Sequence, residues 1–165
     1  MNRRAYLTIA GVGLGSVTGC LGDSSTAEFD AAHEEYDTTA VQITDESGEQ
    51  RGSLTALIAD TGALQFLGLS DTETLPDSRG MLFVYESAGS RTFVMREMDF
   101  GLDIIYISAG KRITSIHHAE APSENESGTE SQHRYPGEGR YVLEVPYEWT
   151  THRDITRGDR VSFEL

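Results

Sequence analysis

The sequence contains a single cysteine among its 165 residues, and this scarcity excludes several kinds of chemistry. A lone thiol cannot close an intramolecular disulfide or supply a multi-cysteine metal site. Cys20 follows two arginines, Arg3 and Arg4, and a glycine-rich apolar run from Tyr6 to Val17. A charged start, an apolar middle and a small-residue exit are the parts of an export signal. We therefore predict a signal peptide over residues 1–19.

The four residues Val-Thr-Gly-Cys at 17–20, where the signal peptide ends, resemble a lipobox, in which the cysteine thiol receives a lipid. The paired arginines are typical of a twin-arginine signal, which exports an already folded domain. A retained membrane span is disfavoured, because residues 5–19 fall short of the ~20 apolar residues that cross a bilayer. The prediction is a protein held at the outer face of the cell membrane by a lipid on Cys20.

Lysine is also scarce, since Lys111 is the only one in the chain. The chain carries 13 basic and 27 acidic residues, and without Arg3 and Arg4 the balance is 11 against 27, a net charge of about −16. Such a surface repels nucleic acid, which excludes it as a partner. Carboxylates hold water and their repulsion is screened in concentrated salt, so we interpret the acidity as halophilic solvation rather than a cation-binding face.

Long apolar runs are absent after the signal, and the chain past residue 38 has apolar blocks of strand length separated by turn residues. Residues 20–38 are interpreted as a polar tether and 39–165 as a single β domain. One helix is predicted, capped by Asp60 and Thr61 and ended by Gly68. Eight strands and this helix favour an all-β fold, an antiparallel β-sandwich or open barrel. The predicted strands are 40–44, 54–59, 81–85, 92–95, 102–107, 113–116, 141–145 and 160–165.

Several ordered blocks carry a family resemblance. The blocks GMLFVY at 80–85, FVM at 93–95, LDIIYI at 102–107, YVLEV at 141–145 and GDRV at 158–161 resemble the domain of unknown function 192 family. The resemblance covers about residues 54–165 and implies a compact, mainly β domain, often exported, with no established activity. The segments at 96–100 and 147–151 look like a haloarchaeal branch. Val94 and Arg96-Glu97 depart from the aromatic residue and the Lys-Asn pair that are common in the family.

Two acids interrupt apolar strands and are the best candidates for function. Asp103 lies in a strand that is apolar on both faces, and Glu144 occupies a similar position in residues 141–145. A buried carboxylate needs a partner or becomes protonated, and Arg96 is the nearest cation in sequence to Asp103. Arg96, Asp103 and Glu144 are thus a candidate pocket. The alternative is that the two acids hold loop amides in the core.

Other chemistry has weaker support. His117 and His118 are adjacent on a strand and face opposite sides, so we predict neither a metal site nor any cofactor. No Gly-x-Ser-x-Gly elbow marks a serine nucleophile in the mature chain, and no catalytic residue is predicted. The polar loop at 121–133 is expected to be mobile, and its Asn125-Glu126-Ser127 triplet is a possible glycosylation site.

The sequence therefore predicts an anchored extracytoplasmic domain that binds a small molecule, a glycan or a protein. Two alternatives remain open at this point. One is a hydrolase that acts on surface polymers through Asp103 and Glu144, which requires the two carboxyls to be about 5 to 10 Å apart. The other is a structural component of the envelope with no ligand.

Overall fold

The computed structural model describes residues 24–165 of the chain. Arg3, Arg4 and Cys20 lie outside the described residues, so the export signal and the lipid anchor stay predictions. Among residues 24–165 no helix combines the length and the apolar character that crossing a membrane requires.

The described residues form a mainly β domain around one curled, seven-stranded sheet. Its spatial order is β5-β4-β6-β3-β2-β1-β7, and neighbouring strands are antiparallel except for the parallel pair β2 and β3. The predicted mainly β fold is confirmed, as a half-barrel rather than a sandwich. The strands are β1 Thr38–Thr44, β2 Gln50–Ala59, β3 Arg79–Val94, β4 Leu102–Ile107, β5 Ile113–Ala119, β6 Arg134–Pro146 and β7 Arg160–Ser162.

The curl brings the two edge strands of the sheet together at one end. An isolated antiparallel bridge joins Arg112, just before β5, to Arg160 of β7. The amide of Ile113 donates to Asp159 O at 3.0 Å, and the amide of Val161 donates to Lys111 O at 2.9 Å. These bonds satisfy edge groups that would otherwise offer a template for strand addition.

Strand β3 is longer than the sequence indicates. The glycine at position 89 suggested a turn between two strands, but β3 runs unbroken from Arg79 to Val94 and contains a register shift between Val84 and Gly89. β6 continues beside it, so Gly89 pairs with Gly139 inside the ladder. The guanidinium of Arg91 stabilises this irregularity by donating to Gly89 O and Gly139 O, both at 2.9 Å.

The sheet has an apolar core on each face, because side chains alternate along the strands. The inner core contains residues of both edge strands, such as Ile113 and Val161, together with Ile105, Leu143 and Trp149. The outer core contains the oppositely directed residues of the central strands. Its strand residues include Met81, Phe83, Ile104, Tyr106 and Val142, and Leu69, Met95 and Met98 cover them.

Two helices pack beside the sheet. Helix α2, Gly62–Leu67, begins after Thr61, whose hydroxyl accepts a bond from Leu64 N, and ends at Gly68 with φ of +56°. Of the predicted caps of this helix, Thr61 and Gly68 are confirmed. Helix α1, Ser24–Ala32, was not predicted and occupies about half of the segment interpreted as a polar tether.

The tether interpretation is corrected for residues 24–38, because α1 is held against the domain. Phe29 is 3% exposed and belongs to the outer core. Asp30 forms a two-bond ion pair with Arg79 of β3, with both N–O distances at 2.6 Å. His33 bonds to Thr72 Oγ1 at 3.1 Å. A single apolar residue in an otherwise polar stretch was too weak a pattern to predict this packing.

Candidate functional site

A cavity that contains Glu144 lies between α2 and the outer face of the sheet, where β3 and β6 run side by side. It has a volume of about 230 Å³. Helix α2 forms one wall, β3 forms another, and the segment after β3 contributes Arg96 and Met98. The full lining consists of Gln65, Phe66, Leu67, Gly68, Leu69, Ser70, Phe83, Tyr85, Thr92, Phe93, Val94, Arg96, Met98 and Glu144.

Glu144 lines this cavity from the middle of the sheet. The residue pairs with Met81 of β3 on one side and Ile104 of β4 on the other, and both neighbours are fully buried. Glu144 itself is 5% exposed, and no hydrogen bond or ion pair within residues 24–165 engages its carboxyl. Burial alone raises the pKa of Glu144 to about 8. The carboxyl is therefore mainly uncharged at neutral pH and is a hydrogen-bond donor.

Two tyrosines that interact with Glu144, Tyr85 and Tyr106, are also uncharged at neutral pH. Burial raises the pKa of Tyr106 to about 12, and it raises the pKa of Tyr85 as well. The Tyr106 hydroxyl donates to Tyr135 O at 2.6 Å, whereas Tyr85 lines the cavity. A charged Glu144 would therefore have little local compensation.

Arg96 brings a permanent positive charge to the cavity. Its guanidinium lies 4.0 Å from the centroid of the Phe66 ring and donates from Nη2 to Phe66 O at 2.5 Å. Phe66 is 73% exposed, which places this pair on the surface. The nearest acid is Glu97, whose Oε2 is 4.0 Å from Arg96 Nε and whose side chain is 76% exposed. An exposed pair at that distance neutralises the guanidinium only weakly.

Asp103 does not line this cavity. Its strand neighbours across the sheet are Val145 and His118, so its side chain is on the face opposite to that of Glu144. Asp103 is fully buried, and its carboxylate accepts from Glu148 N at 2.9 Å and from Thr150 N at 2.8 Å. The Thr150 hydroxyl donates to it at 2.5 Å. Asp103 thus holds the loop after β6 in place.

The partner of Asp103 also differs from the expected one. His118 Nδ1 is 2.7 Å from Asp103 Oδ1, whereas Arg96 packs on α2. His117 faces the other side of β5 and bonds to Pro136 O at 2.8 Å. Within residues 24–165 no group of three or more His, Cys, Asp or Glu residues is arranged to hold a metal ion. The structure thus brings two of the three candidate pocket residues together, Arg96 and Glu144.

The loop at 121–133 carries many bonds of its own. Glu126 accepts from Ser123 N at 2.9 Å and from Gln132 Nε2 at 2.7 Å, and it lies 3.0 Å from His133 Nε2. Gly128 accepts a backbone bond from Met95 N at 2.9 Å. This internal bonding differs from the mobile excursion expected from the composition. Asn125 is exposed on the loop.

The cavity residues that sequence reasoning missed come from α2 and the segment around it. Phe66 and Gln65 belong to a helix whose limits were predicted, but no residue of that helix is buried. Gln65 Nε2 donates to Val84 O at 2.7 Å, which fixes α2 to β3. No sequence pattern relates a short amphiphilic helix to a strand twenty residues later, so this wall could not be predicted.

The fold and the cavity define a single curled β domain with one face enclosed and a small cavity on the other. Comparison with known families places it further: the chain belongs to the DUF192 family, described as an uncharacterized ACR, whose model matches residues 42–163. None of the curated proteins compared with the chain matches it significantly.

Two solved structures share the fold. A proposed transcription regulator from Sinorhizobium meliloti is 22% identical with a TM-score of 0.68, and the match covers 78% of this chain and 95% of that one. A protein of unknown function from Novosphingobium aromaticivorans is 28% identical with a TM-score of 0.61, covering 74% of this chain and 83% of that one. At the lower identity the likeness concerns the fold alone.

Proposed function

We propose that this protein is a lipid-anchored domain on the outer face of the cell membrane that binds a small organic molecule in the cavity beside Glu144. The observation that carries the binding role is Glu144, a residue only 5% exposed that lines a cavity and whose carboxyl has no hydrogen-bond partner among residues 24–165. The chain itself leaves the hydrogen-bonding capacity of this carboxyl unused, and a ligand that accepts a hydrogen bond from Glu144 would use it.

The cavity also has the mixed character of a ligand site. Phe83, Leu69 and Met98 give it apolar walls, and each is less than a tenth exposed. Ser70, Gln65 and Thr92 add polar groups to the same lining. Apolar walls with a few polar groups that converge are the general features of small-molecule sites.

Filling the cavity tests this role. Leu67 lines the cavity and is partly exposed, so L67W adds a bulky ring there without changing charge. Native mass spectrometry of protein purified from its producing cells is expected to show a bound small molecule on the wild type and none on L67W. T156W, which places the same ring at an exposed position outside the cavity, is the matched control. Equal loading of wild type and L67W would contradict the proposal.

The geometry gives no support to hydrolysis by Asp103 and Glu144, because the two carboxyls are on opposite faces of the sheet. They therefore cannot flank one bond of a substrate. If the purified wild-type protein carries no bound molecule, the result favours an envelope component without a ligand.

The anchor is tested separately. Ser24 begins α1 only four residues after Cys20, so a lipid on Cys20 would hold the domain close to the membrane. We expect the wild-type chain to partition with membranes and detergent and C20S to be released. Recovery of the wild type in the cytosol with residues 1–19 attached would contradict the localisation. Intact-mass analysis of the same sample tests glycan occupancy at Asn125.

A further inference from the structure

This inference rests on the proposed binding function and names the chemistry of the ligand. We propose that the cavity selects a small organic carboxylate, with its apolar body against the walls and its anionic group beside Arg96. The chain as a whole has a net charge of −14, so selection of an anion is the reverse of what the composition indicates. The charges that decide which ligand binds are those of the residues around the cavity.

Two aromatic ring faces beside the cavity are already covered by cations of the chain itself. Arg96 lies over Phe66 at 4.0 Å, and Arg91 lies over Tyr85 at 3.7 Å. A cationic ligand would therefore find these two ring faces occupied and would meet like charge beside them. An anionic ligand instead meets a guanidinium whose Nη1 makes no hydrogen bond to residues 24–165.

The interior end of the cavity does not repel an anion. Glu144 is mainly uncharged at neutral pH, since burial raises its pKa to about 8. The ionisable groups near it are Tyr85 of β3 and Tyr106 of β4, and Arg96 follows β3 in the same lining. An uncharged carboxyl and a guanidinium are both donors, and they suit a ligand whose polar atoms are acceptors.

The volume sets the size of the ligand. An engineered protein cavity of about 150 Å³ binds benzene, so about 230 Å³ leaves room for one six-membered ring and a polar substituent. Phe83 and Phe93, which meet edge to face with centroids 4.8 Å apart, offer such a ring an aromatic wall.

Three probes of one shape separate the possible ligand classes. Benzoate, benzamide and benzylamine share a ring and differ in charge, and their binding to the full-length chain is measured by calorimetry at pH 7. We expect benzoate to bind at least tenfold more tightly than the other two. R96Q is expected to weaken benzoate binding about tenfold or more, because a hydrogen bond to a charged group is lost. R134Q, which changes an exposed arginine of β6 outside the cavity, is the control.

The pH dependence gives a second readout that does not depend on R96Q folding normally. Benzoate affinity of the wild type is expected to fall about tenfold between pH 7.5 and 9.5, because ionised Glu144 repels the anion. E144Q is expected to lose this dependence.

The outcomes distinguish the two levels of the proposal. If benzamide or benzylamine binds as tightly as benzoate, the carboxylate inference is wrong and the binding function stands. If none of the probes binds to the folded chain, the carboxylate inference is wrong, and the binding function fails as well if the purified wild type carries no bound molecule. Benzoate binding that is insensitive to both R96Q and E144Q would locate it elsewhere and overturn the inference.

Discussion

At the scale of single residues, the two buried acids have opposite roles because their neighbours differ. Asp103 accepts hydrogen bonds from two backbone amides and a hydroxyl, and it lies 2.7 Å from an imidazole nitrogen. Glu144 lies between Met81 and Ile104 of the neighbouring strands, and its burial there favours the uncharged form. The sequence predicts that both are buried, since each interrupts an apolar strand. It does not predict which acid has partners.

The pairing of Asp103 with His118 shows why the sequence does not predict which of the two acids has partners. Counting from the turn at 109–110, a regular hairpin that pairs Ile107 with Ile113 would set Asp103 opposite His117. A register shift between Tyr106 and Ile107 moves the pairing by one residue, so Asp103 lies opposite His118. A one-residue shift reverses which face each side chain occupies. No residue pattern in the hairpin indicates that shift.

The first residue-scale prediction concerns Asp103. D103N replaces one acceptor oxygen with an amide donor, so buried donors lose their partner. We expect a loss of about 3 kcal/mol in the free energy of unfolding, from one or two buried groups left unsatisfied. Urea denaturation of D103N beside D99N, which changes an exposed acid, measures this. An unchanged midpoint for D103N would show that the network contributes little.

The second residue-scale prediction concerns Glu144 and pH. The pKa of Glu144 is about 8 in the folded protein and 4.5 for an ordinary glutamate. Between pH 4.5 and pH 8 the carboxyl therefore keeps its proton in the folded state but has lost it in the unfolded state. Stability therefore falls as pH rises from about 4.5 to 8. E144Q removes this loss, so we expect it to melt above the wild type at pH 9 and close to it at pH 5.

E138Q is the matched control for that comparison, because Glu138 is an exposed acid on the same strand. It should follow the wild type at both pH values. Identical melting of E144Q and the wild type at pH 9 would mean that Glu144 is ionised at little cost in the folded protein.

At the scale of elements, the sequence predicts a helix or strand correctly where residues at its own ends determine its limits. α2 was predictable because Thr61 and Gly68 are chemical caps. The full length of β3 was not predictable, because Gly89 is held in the strand by pairing with Gly139 of the distant strand β6 and by a hydrogen bond from Arg91. α1 was not predicted because its stability comes from contacts with β3 and the segment near Thr72 rather than from its own sequence.

The element-scale prediction tests the packing of α1. F29A removes the ring that α1 places in the outer core, and loss of a buried phenylalanine costs about 3 to 5 kcal/mol. We expect a drop in melting temperature for F29A and almost none for E28A, an exposed neighbour on the same helix. If both variants melt like the wild type, residues 24–32 behave as a tether.

At the scale of the whole molecule, the acidic balance predicts a response to salt. Repulsion among 27 acidic side chains opposes folding, and the screening distance falls from about 10 Å at 0.1 M salt to about 3 Å at 1 M. The melting temperature should rise over that range of KCl and level off above it. A melting temperature that does not change between 0.1 and 1 M KCl would contradict the halophilic interpretation.

The claim on which the function depends is that Glu144 is a buried, uncharged carboxyl beside the cavity. Carbon-13 NMR of glutamate-labelled protein measures it directly, with the Glu144 resonance assigned as the one absent from E144Q. We expect a titration midpoint near pH 8 for this carboxyl. A midpoint near the ordinary glutamate value would contradict it and leave the cavity without its uncharged donor.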